Sequence, residues 1–180
     1  TIWDLTQPTA LFEKSTGSAR KKEGLEPREG WVKGQGSSRI EVQERGLTYL
    51  IDLEGSQKTG LFIDQREMRS LVKSLAAGRT VLDCCSYVGG FSLSALAGGA
   101  IAADAVDYDA LALERAKEHM TRNDISLDQF NTYTEDVFDF LRRRPLPREY
   151  DFIILDPPAF AKRSSDIEQA KHAYTDLNRM

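Results

Sequence analysis

The stretch Val81-Leu82-Asp83-Cys84-Cys85-Ser86-Tyr87-Val88-Gly89-Gly90-Phe91-Ser92 restricts the fold of this chain more than any other. An apolar run that carries a carboxylate and opens through paired glycines into a helical pattern is a strand-turn-helix junction. In open α/β proteins that turn holds nucleotide-like cofactors. A glycine there lets the backbone bend and approach a ligand with no Cβ in the way. Downstream the alternation continues: strand over 80–84, helix over 91–97, strand over 101–106, helix over 110–123, strand over 129–134, helix over 137–143 and strand over 151–155. Such alternation requires right-handed crossovers and a parallel sheet covered by helices on both faces. The predicted fold class is therefore α/β, with an incomplete Rossmann-like sheet.

Upstream of Gly78 the pattern differs. Residues 1–37 are rich in Gly, Ser, Lys and Glu with almost no periodicity, which predicts a mostly irregular arm and the start of a middle domain. Residues 38–78 read as a small α+β middle domain. Arg39 to Glu44 alternates polar and apolar, Arg45-Gly46 can turn the chain, and Leu47 to Leu53 repeats the strand signal, so a hairpin is expected. Leu61 to Ile63 would add a short strand. From Asp64, a suitable N-cap, the spacing of Met68, Leu71, Val72 and Leu75 turns helical, and Gly78 is a suitable stop. Residues 79–180 form the α/β part and close on a helical stretch over 166–180. A sheet whose fourth strand is its last would leave a buried strand as an edge. The chain also begins with Thr, so a piece of a longer polypeptide is expected.

Composition removes several classes. The 180 residues are 41% hydrophobic and 29% charged with mean hydropathy −0.44, as in a soluble globular domain with a small appendage. No run approaches the ~18 apolar residues of a spanning helix. The N-terminus carries charge where a secretion signal needs an apolar centre. A cytoplasmic protein with no membrane partner is expected, and a homodimer is left open. Cys84 and Cys85, adjacent on a predicted strand, exclude a disulfide framework. Net charge is −4, so any nucleic-acid contact must use local basic patches.

Two cofactors fit a glycine-rich turn followed by an acid on the second strand, here Asp107. A dinucleotide site wants G-x-G-x-x-G, whose third glycine admits close helix packing and whose helix N-terminus holds a pyrophosphate. This chain offers only Gly89-Gly90, followed by Phe91. Asp83 would instead meet an amine-bearing ligand such as the methionyl part of S-adenosylmethionine, and Asp107 would accept both ribose hydroxyls. Glu135-Asp136, after the third strand, supplies a carboxylate for an adenine amino group. The acid spacing favours the sulfonium cofactor. Asp156-Pro157-Pro158-Ala159-Phe160 is the second strong signal. Two prolines end the ladder and hold the preceding carboxylate at the carboxyl edge of the sheet, where α/β proteins bind ligands. Phe160 then offers a surface for an unstacked base, or else packs in the core.

Taken together, Gln57 to Arg66, the Ser86 to Ser92 turn, the Asp107 to Asn123 segment and Asp156 to Lys162 resemble the RlmI-type class I methyltransferases that make 5-methylcytosine in bacterial 23S ribosomal RNA. The resemblance runs from about residue 20 to the end. It implies S-adenosyl-L-methionine as cofactor and 23S ribosomal RNA as partner. It also implies an N-terminal PUA domain and a later Thr-Cys-Ser-Cys-type motif, neither of which this chain contains. Carried to matching positions, Lys58, Gln65 and Arg66 would approach the cofactor, and Asp83, Tyr87 and Gly89 would frame its methionine end. Asp107 would hold the ribose and Asp136 the adenine. Asp156 and Phe160 would face the target base, with the nucleophilic cysteine expected beyond Met180. A related guanine methyltransferase and a non-catalytic binding module remain as alternatives.

Other residues read more plainly. Cys84 and Cys85 serve as small buried hydrophobes. His119 and His172 have no neighbours at metal-ligand spacing, so no metal is expected. Arg142-Arg143-Arg144 with Arg148 reads as a solvated helix end. Arg20-Lys21-Lys22 and Lys162-Arg163 are the candidates for phosphate contacts.

Overall fold

The computed structural model describes residues 1–56, 60–161 and 163–180. Two compact units make up the chain, residues 1–63 and 64–180. The divide falls ahead of the helix that the sequence assigned to the smaller part.

The first unit is more regular than expected. A short helix α1 (Ile2–Thr6) starts on a capping box in which Thr1 and Asp4 satisfy each other's backbone. Strands β1 (Leu11–Ser15) and β2 (Arg28–Lys33) pair antiparallel around α2 (Ser18–Lys22). Residues 1–37 are therefore not an irregular arm. Phe12 and Trp31 lie opposite each other in the ladder with ring centroids 5.1 Å apart, edge to face. Cross-strand aromatic pairs of that kind stabilise short strands that periodicity alone does not reveal. The second hairpin joins β3 (Arg39–Glu44) to β4 (Leu47–Asp52), with Arg45 at φ 50° and Gly46 at φ 81°. Two positive φ values suit a two-residue turn matched to strand twist. The strand expected at Leu61–Ile63 is absent; Ile63–Gln65 is a single 3-10 turn.

The second unit opens with α3 (Arg66–Leu75), which packs on α4 (Gly90–Ala97). The approach is close: a Cβ on Gly98 would lie 2.1 Å from the Lys73 carbonyl oxygen. That contact ties α3 to the α/β body. Strands β5 (Thr80–Cys84), β6 (Ala102–Asp107), β7 (Phe130–Thr134) and β8 (Phe152–Leu155) form one parallel sheet in the order β7-β6-β5-β8. They alternate with α4, α5 (Ala110–Arg122) and α6 (Val137–Arg142), and α7 (Ile167–Arg179) follows. Leu82, Cys84 and Val106 on one face pack with Val137, Phe140, Leu141 and Leu177. The other face is covered by α4 and α5. Among the described residues no helix is long and apolar enough to cross a membrane.

The chain runs outward from β5 to β7 and then returns to place β8 on the opposite side of β5. Such a reversal opens a crevice at the carboxyl ends of the strands, where open α/β sheets bind ligands.

Candidate functional site

Beyond Cys84 the backbone enters the left-handed region at Cys85 (φ 59°), Tyr87 (φ 50°) and Gly89 (φ 67°). Non-glycine residues in that region cost energy and persist where neighbours over-determine them. Here Ser86 N–H donates to the Val106 carbonyl at 3.1 Å and Gly89 N–H to the Ser86 carbonyl at 2.9 Å. Tyr87 N–H donates to Asp107 Oδ2 at 2.7 Å. Helix α5 braces the turn from behind. A Cβ on Gly89 would sit 2.7 Å from the Ala116 Cβ, so the room that glycine leaves is filled by α5. One helical turn further, the buried His119 ring places Nδ1 3.0 Å from the Val88 carbonyl oxygen. A carbonyl only accepts, so Nδ1 carries the proton. His119 had no role in the sequence; it straps the turn to α5.

The carboxylates gather along the carboxyl edge of the sheet. Asp83 is fully buried, and its Oδ2 accepts from Ser92 N–H at 3.0 Å and Ser92 Oγ–H at 2.7 Å, at the start of α4. Its Oδ1 and the Ser86 hydroxyl are buried with no partner among the described residues. Burial pushes the Asp83 carboxyl up to about 7 against the pull of Ser92, and the charges of Asp156 and Asp107 add to the rise. Asp107 accepts from Tyr87 N–H and, on Oδ1, from Asp109 N–H at 2.9 Å. Asp136 caps α6 by accepting from Phe138 N–H at 2.8 Å and is exposed. Its neighbour Glu135 is held by Arg143.

Asp156 follows β8 and is exposed, with Gln65 Nε2 3.4 Å from its Oδ2. Desolvation first and the Asp64 charge second raise its pKa. Gln65 thus meets Asp156, whereas Arg66 pairs with Glu67 at 3.4 Å on the surface. Lys58 and Lys162 lie outside the described residues. Phe160 is half-buried, with ring centroids 4.6 Å from Tyr174 and 6.1 Å from Phe138. Much of the ring packs against other aromatics.

Cys84 is buried and Cys85 half-buried. Desolvation raises both thiols to about 12, and nearby carboxylates, Asp83 for Cys84 and Asp107 first for Cys85, add to it. Neither forms a thiolate near neutral pH. Arg148 is no solvated helix end. Its Nε lies 3.1 Å from Oδ2 of Asp104, a fully buried acid on β6 that also accepts from Tyr150 (2.7 Å) and Asn131 (3.0 Å). The sequence reading missed this cluster, as it missed Ser92, because its members are far apart in the chain. His172 is exposed on α7.

A model of the S-adenosylmethionine-dependent methyltransferase family matches residues 21–178. The chain belongs to that family. It is 36% identical to ribosomal RNA large subunit methyltransferase I of Alteromonas mediterranea, over 98% of this chain and 46% of the relative. The enzyme of the same name from Klebsiella pneumoniae is also 36% identical, over 98% of this chain and 45% of the relative. The chain thus spans less than half the length of these curated relatives. A provisionally assigned methyltransferase solved in complex with SAH superposes with TM-score 0.68 at 35% identity, covering 77% of this chain and 37% of that one. A SAM-dependent methyltransferase from Agrobacterium tumefaciens gives TM-score 0.72 at 24% identity, over 89% of this chain and 50% of that one, a likeness of fold. The cofactor is S-adenosylmethionine. The dinucleotide alternative is set aside by the family match.

Proposed function

We propose that this protein transfers a methyl group from S-adenosylmethionine to a base of ribosomal RNA, specifically C5 of a cytosine in 23S ribosomal RNA. The observation that carries the proposal is the strand order. With β6, β5 and β8 adjacent, Asp107, the 85–89 turn and Asp156 lie side by side along one edge of the sheet. The names of the curated relatives supply the substrate class. A ribosomal RNA substrate in turn agrees with a cytoplasmic enzyme.

The residues suit the cofactor. Asp83 Oδ1 and Ser86 Oγ, buried and unpartnered, are groups that a ligand ammonium and carboxylate would complete. Asp107, already oriented by two backbone N–H groups, keeps lone pairs for ribose hydroxyls. Gly89 frames the methionine end indirectly, by letting α5 press the turn into shape. Asp136 is assigned to the adenine and Arg66 to the approach of the cofactor. When bound, the cofactor supplies an electrophilic methyl group.

Asp156 is assigned to the base. A carboxyl group whose pKa is raised can hold a proton near the pyrimidine ring and stabilise charge that develops there. Phe160, with Tyr174 and Phe138 behind it, would support the base at its exposed part. Cytosine-C5 chemistry also needs a thiolate to add to C6. Cys84 and Cys85 do not suit that step, so the thiol is assigned to a segment of the protein outside residues 1–180.

The test uses the whole protein and 23S ribosomal RNA with labelled cofactor. Asp156→Asn should keep SAH binding while losing ~10²- to 10³-fold in turnover, the range for a preorganised transition-state partner. RNA carrying 5-fluorocytosine at the methylated position should trap a covalent adduct on a cysteine other than Cys84 and Cys85. Methylation with no trapped adduct would exclude the cytosine-C5 assignment.

A further inference from the structure

We propose that Gln65 is a positioning residue for Asp156, its side-chain amide orienting the carboxylate toward the substrate base. The inference rests on the role given to Asp156 above and adds what sets that side chain's direction.

Acids at the ends of these strands usually orient themselves. Asp107 accepts from the N–H of Asp109, Asp109 from that of Leu111 and Asp136 from that of Phe138, each two residues on. This local bond is the ordinary way an aspartate fixes its own carboxylate. Asp156 has no such recourse, because the next two residues are Pro157 and Pro158, which have no N–H. The prolines stiffen the backbone and leave the side-chain torsions free. A donor must come from elsewhere in the fold, and among the described residues the side chain hydrogen-bonded to Asp156 is Gln65, 91 positions away at 3.4 Å.

Gln65 is free to serve. It occupies the N-cap position of α3 but makes no side-chain cap bond. Its amide reaches the strand end instead. The charge that acts on Asp156 is that of Asp64, beside Gln65, and it is of like sign. With repulsion from that side, a neutral donor can hold the carboxyl in place without forcing it to ionise, as a lysine or arginine would.

The sequence resemblance gave Gln65 to the cofactor, and the two roles separate by experiment. Gln65→Ala and Gln65→Glu are prepared in the whole protein. SAH affinity is measured by calorimetry, the Asp156 carboxyl titration by carbon-13 NMR, and the pH profile of methyl transfer by single turnover. Loss of a donor to the carboxylate should raise the Asp156 titration midpoint in Gln65→Ala. Turnover should fall ~10- to 100-fold, the scale of a slightly misplaced catalytic group, with SAH affinity changed no more than about twofold. Gln65→Glu keeps the shape but not the donor at neutral pH, and should recover activity only on the acid side. An unmoved Asp156 titration together with SAH affinity weakened ~10-fold or more would return Gln65 to the cofactor and overturn the proposal. Full turnover in Asp156→Asn would instead remove the role of Asp156 in the reaction, and the carboxyl titration would still report whether Gln65 holds it.

Discussion

Asp83 is a carboxyl group kept from water, and its proton carries measurable consequences. Unfolded, it loses the proton near 3.8; folded, it keeps it to about 7. The native state therefore binds more protons over that interval. The stabilising contribution of the neutral acid is present in full below 3.8 and is lost as pH rises through about 7. The melting temperature of the ligand-free protein should decline between those values, and Asp83→Asn should flatten the decline; an unchanged slope would clear Asp83 of the effect. An ammonium-bearing ligand favours the ionised form, so SAH binding near pH 6 should release protons, read from the dependence of calorimetric heat on buffer. Asp107→Ala should cost about 1.5 to 3 kcal/mol of SAH affinity, roughly 10- to 150-fold. Asp107→Ala also frees Tyr87 N–H and Asp109 N–H, so the loss should exceed that in Asp107→Asn. These acids were legible in the sequence because each sits at a fixed distance from a strand end or a glycine. Ser92 as partner of Asp83, and Gln65 as partner of Asp156, were not, since no local pattern announces a partner supplied by another element.

Among the elements, α5 sets the shape of the 85–89 turn. Ala116 and His119 lie on one face of the helix and meet Gly89 and Val88. Gly89→Ala should therefore be costly twice over, by about 1–2 kcal/mol for a left-handed alanine and about 1–3 kcal/mol for overlap with Ala116. A chemical-denaturation midpoint close to that of the parent protein would contradict the close packing. His119→Asn, which keeps a donor in nearly the same place, should retain more SAH affinity than His119→Leu at matched stability. The strands and helices after residue 78 were legible because buried parallel strands and amphipathic helices leave strong, distinct periods. The hairpin of Leu11–Ser15 with Arg28–Lys33 was not. Its strands are short and half-exposed, and the side-chain contacts that pair them, Phe12 with Trp31 and Lys14 with Glu29, join residues far apart in the sequence. Helix α3 was legible as a helix and misplaced as to its neighbours, since nothing local reveals that Gly98 lets Lys73 come so near.

At the scale of the molecule, the Asp104 cluster anchors the segment between α6 and β8 to the centre of the sheet. Breaking a buried pair from one side leaves a charge uncompensated, typically at ~3–5 kcal/mol. Arg148→Met should fall at the low end of that range because Tyr150 and Asn131 still donate to Asp104. Adding Asp104→Asn should recover part of the loss, and a thermal double-mutant cycle measures the coupling. Strand β8 is an edge of the sheet with Ile153 57% exposed. Its attachment spans a long stretch of chain: Thr80 N–H reaches Asp151 Oδ1 at 2.7 Å across 71 positions. Synthesis delivers residues at about 5–20 per second, and the N-terminal part organises first. On the ribosome, β5, β6 and β7 are thus available to one another seconds before β8 exists. By the assignments proposed, every residue given to the methyl donor is made before the carboxylate that is to face the base.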